Sequence, residues 1–451
     1  MNDSKHPSTD ASVTRRSFLR STSTAVAGGA LLGALPVERF ALGASPGDTI
    51  RIALVGAGGR GSGAADQALS TGGEGVKLVA IADAFEDRAR SSLKNLKNQH
   101  QNTVQVKDDM IFTGLDAYKQ AIAQADMVIL ATPPGFRPIH FEEAVRQGKH
   151  VFMEKPVAVD APGVRRVIAA AKEAKARNLK VGVGLQRRHQ PNYLETVARL
   201  HDGAIGDIIA MRCYWNGGPV GPKAKRADLA KSMGRAPTEM EYQLRNWYMF
   251  NWLCGDHIVE QHIHNLDVMN WIKKGYPVRA HGLGGRCFQK GPDSGEIFDH
   301  HAVEYEYADG SRMFSQCCQF PGAWSSVTEH CIGTKGTCDV SGHTIRGENA
   351  WRRRGPQGES NDGWLLEHTP LQAAIRGDKE HNEGERGALS TLTAIVGRLA
   401  TYSGKVIEFE EALNSNVSLM PDSFTMDAMP KVLPGPDGLY PYAIPGKTTV
   451  L

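Results

Sequence analysis

Thr49-Ile50-Arg51-Ile52-Ala53-Leu54-Val55-Gly56 is an apolar run that reads as a buried strand, and it passes directly into Gly56-Ala57-Gly58-Gly59-Arg60-Gly61. A lone G-x-G-x-x-G is a weak signal. Here it follows a strand and opens a helical stretch, Ser62 to Ser70, and a second strand, Lys77 to Ala82, ends at Asp83. That acid lies about 20 residues beyond the last glycine, the spacing of a dinucleotide-binding βαβ unit. The glycines let the backbone approach a pyrophosphate, whose charge sits at the helix N-terminus. Asp83 would accept hydrogen bonds from the ribose hydroxyls. A carboxylate there repels a 2′-phosphate, which favours NAD over NADP.

The alternation continues downstream. Strands are predicted at 126–131, 149–153 and 180–184, with helices at 137–147 and 164–177 between them. Strands alternating with helices of this length predict an α/β fold with a doubly wound parallel sheet. Ligands of such sheets sit at the carboxyl ends of the strands. Thr132, Glu154 and Lys155 all stand at such ends. The candidate cofactor-facing residues are therefore Gly56, Gly58, Gly59, Arg60, Gly61, Asp83, Thr132, Pro133, Arg137, Glu154 and Lys155.

The 451 residues suffice for two domains. Hydrophobic residues at 41% and charged residues at 22% are ordinary for a globular protein. A formal charge of +3 is too small to suggest nucleic-acid binding. Seven cysteines form no Cys-x-x-Cys pair and are expected to be small buried residues.

The first 44 residues are expected to be an address rather than fold. Thr14-Arg15-Arg16-Ser17-Phe18-Leu19-Arg20 has the twin-arginine pattern, and a short Gly/Ala-rich run and small residues at Ala41, Gly43 and Ala44 follow it. The run is too short for a membrane span. The expectation is recognition by the twin-arginine export machinery, cleavage, and a periplasmic protein with no membrane span. The expected division is 1–44 signal, 45–186 dinucleotide-binding domain and 187–451 second domain.

In the second domain, Gly255-Asp256-His257-Ile258-Val259-Glu260-Gln261-His262-Ile263-His264-Asn265-Leu266-Asp267 concentrates three histidines, one glutamate and two aspartates. Histidine titrates near neutral pH and suits removal of a hydroxyl proton. A lysine can stabilise the developing alkoxide. If the stretch is helical, Glu260 and His264 share a face. His264 is the expected acid/base, Lys155 its partner and Glu260 its orienting carboxylate. His262 is the rival, because in an extended segment it would point the same way as His264. A zinc set of His257, Glu260, His262 and His264 is the weaker alternative. No metal is assigned, because the proton-transfer reading already uses these groups. Gly217 to Gln243 reads as a long loop. It leads to Arg245-Asn246-Trp247-Tyr248, where an aromatic ring could stack on a sugar. Strands follow at 278–287, 302–307, 312–319 and 327–332, helices at 371–377 and 387–401, and a Pro/Gly-rich tail at 420–451. His300 and His301 are expected to face opposite sides of their strand.

Gly56-x-Gly58-x-x-Gly61, Ala131-Thr132-Pro133, Gly148-Lys149-His150-Val151, Glu154-Lys155-Pro156, Gln186-Arg187-Arg188 and His264-Asn265-Leu266-Asp267 occur in that order. With them the chain resembles the glucose–fructose oxidoreductase, inositol dehydrogenase and MocA family over roughly residues 49–410. The resemblance implies a Rossmann domain followed by an α/β domain on a large, mostly antiparallel open sheet. It implies hydride transfer between a nicotinamide and a carbon of a sugar, polyol or sugar derivative. Lys155 matches the family's active-site lysine and His264 its catalytic histidine. Arg187 matches a position that often lines the substrate pocket. The acid four residues before that histidine is usually aspartate; here it is Glu260, one methylene longer. Arg137 stands where many members have histidine. The substrate-facing candidates are Arg187, Trp247, His262 and His264. The family analogy also implies a homo-oligomer, a dimer or tetramer, built on the sheet.

An exported protein is not expected to be supplied with free NAD. The expected enzyme is an NAD(P)-dependent oxidoreductase of CH–OH donors with tightly held NAD. The alternative is a redox-neutral NAD-dependent glycosidase or epimerase on the same fold. A non-catalytic sugar-binding protein is a third class.

Overall fold

The computed structural model describes residues 49–221 and 224–451. The expected export signal lies outside the described residues. Strand β1 (Ile50–Val55) is apolar at every position but Arg51 and sits at the centre of a six-stranded sheet. Its companions are β2 (Val76–Asp83), β3 (Ile111–Thr113), β4 (Met127–Leu130), β5 (His150–Met153) and β6 (Val181–Val183). The order is β3-β2-β1-β4-β5-β6, every neighbouring pair parallel. This is a doubly wound Rossmann sheet. Residues 52–55 of β1, all of β4 and residues 151–153 of β5 read as continuous apolar runs because helices cover both faces. The strand order reverses between β1 and β4, so the crevice lies at the ends of those two strands, beside Gly56 and Ala131.

The second sheet has nine strands: β7 (Ile208–Gly217), β8 (Arg279–Gly285), β9 (His300–Glu306), β10 (Arg312–Gln319), β11 (Ser326–Gly333), β12 (Gly336–Asp339), β13 (Thr344–Gly347), β14 (Trp351–Arg352) and β15 (Ile407–Glu408). The order is β14-β13-β12-β11-β7-β10-β9-β8-β15. Only the β7–β10 pair is parallel; the rest are antiparallel, as expected. The alternation of the strands places Met211, Cys213, Val303, Tyr305, Met313 and Cys317 on one buried face. The helices Ile263–Lys273 and Gly384–Ser403 cover that face.

Several expectations need correction. The stretch 217–243 is not one loop. It contains the helix Arg226–Met233, and the helix Glu239–Arg245 begins within it. Thr238 and Glu241 form a capping box that starts the second helix, a signal masked by the surrounding Gly/Pro-rich composition. Strands β12 to β14 were not expected, since they are short and their apolar content is low. The helix His368–Gly377 belongs by sequence to the second half, yet Leu371 and Ile375 join the core of the first sheet with Phe152. Beyond it, Val181 N–H donates to the His381 carbonyl at 2.9 Å, and Glu383 N–H returns to the Val181 carbonyl at 2.9 Å. The edge of the Rossmann sheet is thus finished by residues some two hundred positions later. All seven cysteines are free thiols. Five are buried as expected, but Cys287 is exposed. Of the adjacent histidines, His301 is buried and His300 half-buried, as strand alternation requires. Among the described residues, no helix is long and apolar enough to cross a membrane.

Glu296 provides a stability test of the core. Burial pushes its carboxyl up to about 7 from the ordinary 4.5, and the Asn251 N–H it accepts only partly opposes this. A raised carboxyl contributes fully below pH 4.5, and that contribution is lost as pH rises to 7 and beyond. The linkage is worth about 3 kcal/mol. Glu296→Gln is therefore expected to raise Tm by a few degrees at pH 8 and to give no gain at pH 4.5. Calorimetry at the two pH values checks it; equal shifts at both would contradict it.

Candidate active site

The crevice at the switch point opens into a cavity of about 350 Å³. It runs from Asp83, Phe85 and Arg88, past Gly58 to Gly61 and Ala131 to Pro133, to Glu154, Lys155, Glu260 and His264. The glycine turn is shaped from both sides. Gly56 has φ +93°, and a Cβ there would lie 2.4 Å from the Thr132 nitrogen. A Cβ on Gly61 would lie 1.9 Å from the Gly56 carbonyl oxygen. Gly58 and Gly59, by contrast, have nothing within 4 Å of a built Cβ. The first pair lets the turn close against β4 and the helix Gly59–Gly72. The second leaves open space at that helix's N-terminus, where a pyrophosphate fits.

Asp83 ends β2 as predicted. Its carboxylate accepts from Ala57 N–H at 2.7 Å and Phe85 N–H at 3.0 Å, which ties β2 to the glycine turn. Burial raises its pKa, opposed by those two N–H groups. Arg60 reaches across the crevice to Glu154 at 2.5 Å and Glu367 at 3.4 Å. Thus two cofactor-facing candidates, Arg60 and Glu154, form an ion pair that joins the turn to the end of β5. Arg137 lines the cavity floor, but its guanidinium donates to the carbonyls of Leu130 and Thr132. Burial lowers it to about 10, still charged at neutral pH. It braces the end of β4 beneath Thr132 and Pro133.

Lys155, in the turn after β5, donates to the Glu260 backbone carbonyl at 2.5 Å and to Glu260 Oε1 at 3.1 Å. Both side chains are largely shielded from solvent, at 13% and 15% exposure. Glu260 therefore holds Lys155. The expected contact with His264 is not made: His264 Nδ1 is buried without a partner. The reason is local. The helix His257–Glu260 ends before Gln261, and a separate helix, Ile263–Lys273, begins after His262. The four-residue spacing is not carried on one continuous helix. His264 itself lines the cavity, its ring stacked on Trp215 with centroids 5.8 Å apart. Burial, then the positive charges of Lys155, Arg187 and Arg60, hold its pKa well below the usual imidazole value.

Two substrate-facing candidates lie elsewhere. His262 occupies the turn between the two helices and points into the core, bonded to Ser315 Oγ at 2.7 Å. Burial lowers it to about 3. Arg187 is paired with the buried Glu329 and lies over the rings of Tyr193 and Trp215 at 5.7 and 5.8 Å. It is a support behind Trp215 and hence behind His264. Asn265, the next residue, donates to the same Glu329 at 2.9 Å. Trp247 does line the cavity, but from the side of Gly58, Asp87 and Arg88, towards the nucleotide end. The four groups of the zinc alternative are not gathered: His257 faces Asp256 at 3.0 Å, Glu260 faces Lys155, and His262 faces Ser315. Sequence reasoning missed Trp364, which is half-exposed in the cavity wall on the short helix Gly363–Leu366. The stretch before it has no periodicity to read. It also missed Arg88 and Leu115; Arg88, only five residues past Asp83, could have been found from that spacing.

Residues 50–183 match the profile of the oxidoreductase family with an NAD-binding Rossmann fold, named for glucose–fructose oxidoreductase, inositol dehydrogenase and MocA. The inositol 2-dehydrogenase of Rhizobium meliloti (strain 1021) is 32% identical over 160 residues, 36% of this chain and 43% of that protein. The chain spans about half the length of the curated relatives it matches. Among solved structures, myo-inositol 2-dehydrogenase from Lactobacillus plantarum superposes with a TM-score of 0.60 at 22% identity, covering 80% of this chain and 99% of that one. GenD2 from gentamicin A biosynthesis, in complex with NAD, superposes with a TM-score of 0.60 at 17% identity, covering 83% and 99%. At such identities the likeness extends the shared fold through the second sheet. The glycine turn and the Glu-Lys-Pro turn, both within the matched residues, thus face one cavity in this chain, with His264 from the second domain beside them.

Proposed function

We propose that this protein is an NAD-dependent oxidoreductase that moves a hydride to or from a CH–OH carbon of a sugar, polyol or sugar derivative, with inositol-like cyclic polyols the first to try. One observation carries the reading: the cavity that begins at Asp83 and the glycine turn ends at Lys155 and His264. The residues fit a nicotinamide dinucleotide. Open space at Gly58 and Gly59 suits the pyrophosphate, and Asp83 suits an unphosphorylated adenosine ribose, which favours NAD over NADP. The bound cofactor would supply the hydride acceptor. The chain supplies the rest. Lys155, held by Glu260, orients the substrate hydroxyl and stabilises negative charge as its proton leaves. His264, neutral because of burial and neighbouring cations, takes that proton. With Nδ1 buried, exchange falls to Nε2.

The test is a panel of polyols, aldoses and glycosides offered to the purified protein with NAD, followed at the reduced-nicotinamide absorbance. Reduction with at least one polyol or sugar is expected. No reduction and no turnover with any member would overturn the reading. The pH profile gives a second check. Because the His264 pKa is depressed, the base stays competent as pH falls. Oxidation kcat/KM is expected to stay flat through pH 6.5, and a loss with an apparent pKa at or above 6.5 would remove His264 from the role.

A second reading is redox-neutral: the nicotinamide is reduced and reoxidised on one substrate, as in glycoside cleavage or epimerisation. The Thr14–Arg20 pattern favours it, since an exported, periplasmic enzyme must regenerate a tightly held cofactor in place. Product formed without net reduction in the same panel distinguishes it. Assembly of a dimer or tetramer through the second sheet is part of the same proposal, read by light scattering.

A further inference from the structure

Nothing within a Rossmann unit itself covers the adenosine end of its crevice, which lies outside the carboxyl ends of the strands. Here a segment of the second domain crosses it. Leu244 and Trp247 line the cavity opposite Asp83 and Arg88. Between them, Arg245 makes two parallel bonds to Asp87, Nη1 to Oδ2 at 2.8 Å and Nη2 to Oδ1 at 2.9 Å. Its guanidinium carbon also lies 3.8 Å from the Phe85 ring centroid. Phe85 belongs to the turn that follows Asp83, the acid expected to hold the ribose, and Asp87 to the first turn of the helix Glu86–Gln99 that the turn leads into. The two walls of the nucleotide site are therefore tied together above the crevice.

The crossing segment is also held from behind. Gln243 Nε2 donates to the Val432 carbonyl at 2.8 Å, and its Oε1 accepts from Trp252 Nε1 at 2.6 Å. Thr238 Oγ1 donates to the Met426 carbonyl at 2.6 Å. The C-terminal tail thus straps the helix Glu239–Arg245 in place. A bidentate arginine–carboxylate pair stacked on an aromatic ring is more persistent than a single surface contact.

We propose that the Arg245–Asp87 pair is a clasp that, with Trp247 as cover, retains the dinucleotide across turnovers. This rests on the reading of the cavity as an NAD site. It assigns Arg245 and Asp87 as positioning residues for the cofactor, remote from the reacting carbon, and turns Trp247 from a sugar platform into part of the nucleotide cover.

The test uses the full chain loaded with NADH and chased with excess NAD, release being followed by nicotinamide fluorescence. Arg245→Ala and Asp87→Asn are expected to release NADH at least about fivefold faster than the unmodified chain, with unchanged melting temperatures. The reversed pair, Arg245→Asp with Asp87→Arg, is expected to slow release again. A merely structural role would lower the melting temperatures of the single variants rather than change release alone. Equal release rates in all four proteins would overturn the clasp and leave the NAD reading standing. Faster release in the single variants without recovery in the reversed pair would overturn the ion pair as its basis. Failure of the unmodified chain to bind NADH would overturn both readings together.

Discussion

Lys155→Met is expected to lower kcat/KM by about 10³-fold while leaving Tm within a few degrees of the parent. Methionine keeps most of the length of the side chain and removes the charge. Lysine here is held by two contacts to one residue, the Glu260 carbonyl and carboxylate, so its ammonium is fixed before substrate arrives. Fixed charge at the point where an alkoxide develops is the form of stabilisation that costs no reorganisation. The substitution has a second consequence. Lys155 is the largest charge contribution to the depressed His264 pKa, after burial itself. Without it the imidazole becomes easier to protonate. Whatever oxidation activity remains should then be lost at a higher pH than in the parent, because a raised base is protonated sooner as pH falls. A variant with near-parental turnover, or with an unmoved pH profile, would remove Lys155 from the chemistry. Glu260→Gln should give a smaller loss, since the backbone carbonyl still holds the ammonium.

Gly61→Ala and Gly58→Ala are expected to separate folding from cofactor binding. The added methyl of Gly61→Ala would sit 1.9 Å from the Gly56 carbonyl oxygen, a backbone atom that cannot swing aside. Relief requires the turn to lift from the helix, and a cost of about 3 kcal/mol or more is expected. Tm should fall by many degrees. Gly58→Ala meets nothing within 4 Å in the free protein. Its stability should match the parent, but its methyl projects into the space where the pyrophosphate fits. NADH affinity is expected to weaken at least tenfold. Thermal unfolding and fluorescence titration on the two proteins check both halves. A stable Gly61→Ala protein would contradict the packing argument. A Gly58→Ala protein with parental affinity would move the cofactor away from the turn.

The contrast between those glycines marks what a reader of the sequence could and could not see. The apolar run to Gly56, the three glycines and Asp83 declare a dinucleotide turn because one local geometry demands all of them. Strands β1, β2, β4, β5 and β6 were legible for the same reason: apolar runs alternate with helix-period stretches; β3, only three residues long, was not. Lys155 and His264 were legible as residue types at strand and helix ends, and the structure brings them to one cavity. Glu260 was misread as the partner of His264, since four-residue spacing means adjacency only on an unbroken helix, and this one breaks at Gln261 and His262. Arg187 and His262 are polar residues drawn into the core by Glu329 and Ser315, partners far along the chain. No local pattern announces such a pairing. Trp364 and the Arg245–Asp87 pair were hidden likewise, because both arise where distant segments meet.

The return of residues 368–383 to the first sheet bears on how this chain can be made. The exposed side of β6 is capped by the His381 carbonyl and the Glu383 amide, and Leu371 and Ile375 fill the Rossmann core beside Phe152. A fragment ending near residue 186 would leave a raw strand edge and an unfilled apolar hollow. During synthesis the nucleotide half must therefore wait, unfinished, until nearly four hundred residues have left the ribosome. Its maturation is coupled to completion of the whole polypeptide, and a transplantable nucleotide module would need the distant helix grafted alongside it.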